Sequence, residues 1–271
     1  MNFVKIEKPK PHIAVVTLDR PDRYNALSFA LMRDLHKALD DLMGDPASRV
    51  VILTGSGKGF CAGADLKAAA SGEQKEWEPG LGPIQDKYRM QQAYGQLILK
   101  LRQIPQPVIA AVNGPAAGGG FSLVLACDLR ICAPEAKFNC AFTRLGIGGA
   151  EMASSYFLPK LLGPALAAEL MYTGRFVDAD EALRTGVVSR VVPGDKLLDT
   201  ALGLAGEMIT HASPFGLRIT KEAINLAQGG LSLEETVAIE NRNQVLALQT
   251  QDFMMAAAAW AQKKNPEFKD R

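Results

Sequence analysis

The chain has 271 residues, 48% of them hydrophobic, with 30 basic against 29 acidic side chains and a net charge of +1. That suits one large domain, or a domain with a subdomain, around a sizeable core, and it gives nucleic acid or a generally anionic partner no footing. The cysteines Cys61, Cys127, Cys132 and Cys140 form no CxxC pair, so reduced core thiols are expected, and no metal-ligand cluster stands out. The N-terminal MNFVKIEKPK lacks a signal-type apolar run and no stretch reaches membrane-spanning length, so a soluble, cytoplasmic protein is expected.

Residues 2–8 and 12–18 read as strands, broken between Pro9 and Pro11. Ser28 is a good N-cap for a helix over 29–43, where Leu31, Leu35, Leu39 and Leu42 share a face. RVVILTG (49–55) is a buried strand that runs into the glycine-rich GSGKGFCAGADL. This is not a phosphate loop: Gly59 rather than Ser or Thr follows Lys58, and Ile52 occupies the first glycine position. Residues 68–82, small, polar and Gly/Pro-containing, read as a mobile loop; a helix over 84–103 follows, stopped by Pro105 and Pro107.

The strand PVIAAV then enters AVNGPAAGGGFSLVLACD (111–128). Gly118, Gly119 and Gly120 leave their backbone N–H groups open to close approach, at the start of an apolar helix. The stretch reads equally as an anion site or as a tight strand–helix turn. DLRICA (128–133) is a further strand. Beyond about residue 160 the pattern is mostly helical: 177–186, 195–210, 214–228, 232–248 and 250–262, with a short strand over 187–192. Alternating strands and helices before that point give an α/β class.

Two glycine-rich loops, each after a buried strand, together with RPDRYNALS, KGFCAGADL, AAVNGPAAGGGFSLVLACDLRICAPEAKF and LGIGGAEMASSYFLPKLLG, resemble the crotonase (enoyl-CoA hydratase/isomerase) superfamily over nearly the whole chain. The resemblance implies a spiral of ββα units over residues 1–200 and a helical C-terminal region over 201–271 that drives assembly into a homotrimer or a hexamer of paired trimers. It implies an acyl-CoA thioester substrate, no cofactor beyond its coenzyme A, and a setting in fatty-acid β-oxidation. By motif match, the backbone N–H groups of Ala64 and Gly119 hold the thioester oxygen, and Gly118 and Asp65 lie beside them. Lys58 matches a contact to CoA phosphate or adenine. Ala26, Leu27, Ala62 and Leu66 match positions along adenine and pantetheine. Trp260 and Lys263 match a C-terminal pair that reaches CoA, in some members from a neighbouring subunit.

Hydratases of this family use two glutamates; Ser122 and Phe142 stand at those positions here, with Ser122 open to orienting a water or a substrate group. Glu151 remains. Its register, E-x-x-S-S-Y-x-x-P-K, resembles the segment carrying the single base of Δ3,Δ2-enoyl-CoA isomerases, and its apolar, small-residue setting predicts a buried carboxylate of raised pKa. Its alternative role is a helix N-terminal acid. Isomerase chemistry leads, with a hydratase or same-fold thioester hydrolase next and a non-catalytic acyl-CoA binder third. His12, His36 and His211 are scattered, Asp65 and Asp128 look like capping carboxylates, and Cys61 reads as a packing residue.

Overall fold

β-branched runs form the strands, and their period of two divides the core. The computed structural model describes residues 1–71 and 80–271, with side chains omitted at 69–71. A six-stranded sheet has the order β1 (Val4–Lys10), β2 (Ile13–Leu18), β3 (Val50–Gly55), β4 (Val108–Val112), β6 (Leu129–Cys132), β9 (Arg190–Val191). It is parallel except for the β1–β2 hairpin. A second sheet joins β5 (Ala116–Ala117), β7 (Lys137–Asn139) and β8 (Val177–Asp178).

Strands buried on both faces need a cover on each. Ala14, Val16, Leu53 and Ala110 point to one side, under α1 (Phe29–Met43), α3 (Pro83–Gln103) and α4 (Gly119–Ala126). Ile13, Val15, Ile52 and Ile109 point to the other, under Leu197, Ala201, Leu204 and Ala205 of α8 (Leu197–His211). The boundary at residue 200 therefore falls inside a helix that belongs to the sheet core.

Successive units place one strand in each sheet and then a helix: β4, β5, α4, then β6, β7, α5 (Ser154–Leu162) and α6 (Pro164–Thr173). Cys61, bridged to Ala116, extends the second layer to the loop after β3. This is the expected spiral of ββα units. After α7 (Ala179–Thr185), the chain ends in α9 (Pro214–Gln228), α10 (Leu233–Leu248) and α11 (Gln251–Ala261). No described helix is long and apolar enough to cross a membrane.

Two local expectations need correction. β1 continues through Pro9 to Lys10 with a register shift between Glu7 and Lys10, tolerated because it is an edge strand. Part of the 68–82 loop is helical: α2 spans Leu66–Ser71, where Asp65 accepts from the amide of Ala68 at 3.0 Å and alanines favour helix. Residues 72–79 lie outside the described residues.

Candidate active site

The two glycine-rich loops meet edge to edge. Leu27 N–H donates to Gly63 O at 2.7 Å, and Asp65 N–H returns a bond to Leu27 O at 3.3 Å. Ala117 N–H donates to Cys61 O at 3.0 Å, and Gly118 N–H to Asn139 O at 2.9 Å. These pairings leave the N–H groups of Ala64 and Gly119 with no acceptor among the described residues. Both residues line one cavity of about 450 Å³, and Gly119 opens helix α4. A Cβ on Gly63 would stand 3.3 Å from the Gly119 nitrogen, so the loops are closely apposed. Two unpaired donors, one at the positive end of a helix, are suited to negative charge.

The glycines are required by contact. A Cβ on Gly120 would lie 2.1 Å from the Cys61 carbonyl oxygen, and one on Gly119 would lie 2.8 Å from Met152 Sδ and 3.0 Å from Leu27 Cδ1. Asn25, fully buried, donates to the carbonyls of Ser56 and Gly59 and fixes the first loop's base.

Glu151 lines the same cavity. It is half-buried rather than buried, and its Oε1 accepts from Gln91 Nε2 at 2.8 Å. Its backbone is held on both sides: its N–H donates to Ser154 Oγ at 3.1 Å, and its carbonyl accepts from Ser154 N–H at 3.0 Å and Ser122 Oγ at 3.3 Å. Met152 and Ala153, which follow it, are both left-handed, with φ of 47° and 61°. Two such residues outside glycine are strained, and the surrounding packing and the serine bonds hold the turn. The helix-terminal alternative is not what is seen, because Ala153, not Glu151, occupies the N-cap of α5.

Other predicted site residues separate into two groups. Ala62, Asp65, Leu66, Gly118 and Phe142 line the cavity. Asp65 is paired with Arg20 and capped onto Ala68. Burial pushes its carboxyl up, but the Ala68 amide and the Arg20 guanidinium outweigh it and hold the carboxyl below its usual range. Ser122, only 1% exposed, does not line the cavity; its hydroxyl is engaged by the Glu151 carbonyl instead of facing a water or a substrate. Ala26 and Leu27 are buried beneath the loops, and Lys58 is exposed on the outer edge of the first loop. Trp260, 85% exposed, and Lys263 lie outside the cavity of their own chain.

Cys61 is buried and its thiol is pushed up to about 12 by that burial, as a packing residue would be. None of the three histidines lines the cavity, and no group of three or more metal-ligating side chains occurs among the described residues. Gln91 and Tyr94 belong to no motif in the sequence. Burial, and then the nearby Glu151 and Asp65 carboxylates, push the Tyr94 phenol up to about 12. The only signal for this pair was their spacing of three on the helix over 84–103, which puts them on one face.

The two glycine-rich loops thus bring two backbone donors without acceptors among the described residues, those of Ala64 and Gly119, to one cavity. The sequence model of the enoyl-CoA hydratase/isomerase family matches residues 8–271. A probable enoyl-CoA hydratase of Mycobacterium bovis is 40% identical over all of this chain and 94% of its own length. A probable enoyl-CoA hydratase/isomerase of Mycobacterium abscessus superposes with a TM-score of 0.91 at 38% identity over 99% of each chain. A monofunctional enoyl-CoA isomerase of M. smegmatis is 40% identical over 88% of this chain and 99% of its own, with a TM-score of 0.73. The chain belongs to the enoyl-CoA hydratase/isomerase (crotonase) family, whose members act on acyl-CoA thioesters.

Proposed function

We propose that the protein is a Δ3,Δ2-enoyl-CoA isomerase with Glu151 as its single base. The observation that carries this is the composition of the cavity wall. Among the described residues it holds two carboxylates, and Asp65 is committed to Arg20, which leaves Glu151. The two positions that carry glutamates in hydratases are a buried serine, bonded elsewhere, and a phenylalanine. Water activation on one side and proton delivery on the other call for a second carboxylate, and among the described residues of this wall no uncommitted one stands beside Glu151. A double-bond shift needs only one. Glu151 takes a proton from C2 of a 3-enoyl-CoA, and the electron pair moves onto the thioester oxygen. The N–H groups of Ala64 and Gly119 hold that oxygen, a contribution of about 3–4 kcal/mol for one such donor. The same carboxylic acid returns the proton at C4.

The substrate's coenzyme A is the only cofactor this chemistry calls for. A homotrimeric or hexameric assembly agrees with the exposed Val245, Met254 and Trp260 of the C-terminal helices, and a cytoplasmic setting agrees with four free cysteines. Support for hydration comes from the relatives named hydratase. Incubation with 3-enoyl-CoA and with 2-enoyl-CoA separates the cases. Isomerisation gives the conjugated 2-enoyl thioester and no 3-hydroxyacyl-CoA. Hydration of the 2-enoyl substrate, release of free CoA, or binding without turnover would each contradict the isomerase assignment.

A further inference from the structure

Helix α3 touches both halves of the site within one turn. Tyr94 Oη donates to the carbonyl of Leu27 at 3.3 Å, and Leu27 is the residue whose backbone pairs with the loop bearing Ala64. Three residues earlier, Gln91 Nε2 donates to Glu151 Oε1 at 2.8 Å. Residues three apart lie on one helix face. One rigid element therefore sets the separation between an oxyanion donor and the carboxylate.

The bond from Gln91 makes the two oxygens of Glu151 inequivalent. An amide NH₂ group donates and does not accept, so it pairs with a bare oxygen and opposes a proton there. Oε2 has no hydrogen-bond donor among the described residues. We propose that Gln91 is a positioning residue: it anchors Oε1 and leaves Oε2 alone to carry the proton between C2 and C4. This rests on Glu151 being the base. The C2–H bond breaks toward Oε2, and its electrons pass to the thioester oxygen to give a dienolate. The Oε2–H bond then breaks toward C4, and the electrons return to leave a C2–C3 double bond and a restored thioester. Atoms and electrons balance with no co-reactant. A carboxylate fixed at one oxygen hands the same proton back; one free to turn exposes it to water first.

The test uses 3-enoyl-CoA deuterated at C2 with the full-length protein and its Gln91→Ala, Gln91→Asn, Gln91→Glu and Glu151→Gln variants. Gln91 is exposed on its helix, so its variants should keep the fold, checked by circular dichroism. For Gln91→Ala, kcat should fall about 10- to 100-fold with KM within about twofold. The fraction of deuterium recovered at C4 should fall below that of the unmodified protein. Gln91→Asn, one methylene short, should lie between. Gln91→Glu sets a second carboxylate beside the first and should move the acidic limb of kcat/KM to higher pH. Tyr94, Asp65 and Arg144, the other ionisable groups on the cavity wall among the described residues, are unchanged in every variant. If Gln91→Ala keeps full kcat and full deuterium transfer while Glu151→Gln is inactive, the positioning role is overturned and the base stands. If Glu151→Gln keeps its turnover, the base assignment falls and this proposal falls with it.

Discussion

The hydroxyl of Ser122 donates to the backbone carbonyl of Glu151 at 3.3 Å. The position at which hydratases of the family carry a glutamate thus serves here to hold the segment that bears another carboxylate. Ser122→Ala should cost about 1 kcal/mol of stability and lower kcat with little change in KM. Ser122→Glu should not install hydration. It would bury an unpaired carboxylate at a position 1% exposed, at a cost of about 3–5 kcal/mol in urea denaturation. A stable, hydrating Ser122→Glu variant would contradict this.

Gly119 and Gly120 should separate catalysis from folding. In Gly119→Ala the new methyl meets Met152 Sδ and Leu27 Cδ1, both side-chain atoms that can shift, at the expense of the Glu151 turn and the donor's aim. Turnover should fall about 10²- to 10³-fold, the scale of losing one oxyanion donor. In Gly120→Ala the methyl meets the Cys61 backbone carbonyl at 2.1 Å, which cannot move cheaply. That variant should be the less stable of the two by thermal melting, whatever its activity.

Asp65 should make stability fall in acid. Its folded carboxyl titrates below the ordinary 3.8, with burial opposing the shift and the Ala68 amide and Arg20 producing it. A depressed folded value means that the stabilisation is fully present above about 3.8 and is lost as pH drops through the folded value. Asp65→Asn should be less stable at neutral pH and show a shallower loss on acidification. Denaturant midpoints measured at neutral pH and near pH 3 check this; parallel slopes for the two proteins would contradict it.

The cysteines should be silent in the native state. All four are buried and free, and burial pushes Cys61, Cys127 and Cys132 up to about 12 and Cys140 up to about 11. A thiol reagent at pH 8 should label none of them quickly until denaturant is added, since the thiolate is the reactive form. Rapid native labelling of Cys61, beside the first loop, would contradict its packing role.

Much of the scaffold was legible because its signals are local. Leu31, Leu35, Leu39 and Leu42 marked the buried face of α1, and Ser28 its cap, with both visible in the structure. The glycine triplet announced a close backbone approach, and the resemblance gave Ala64 and Gly119 their roles. What was not legible depends on distant partners. Gln91 and Glu151 lie 60 residues apart, and no pattern in either segment points to the other. Ser122 reads as open to orienting a water or a substrate group because it stands where the resemblance places a glutamate; its burial and its bond to a carbonyl 29 residues away are set by how α4 packs. Helix α2 is not legible in the sequence because a single capping contact and three alanines outweigh the loop-like composition that follows.

In the proposed isomerisation, Glu151 carries the proton. Its most direct test is turnover of 3-enoyl-CoA by Glu151→Gln, beside a binding measurement with a non-reacting acyl-CoA. Loss of the base should lower kcat about 10²- to 10⁴-fold while thioester binding persists, because the Ala64 and Gly119 donors are untouched. Undiminished conversion of the 3-enoyl substrate by Glu151→Gln would contradict it.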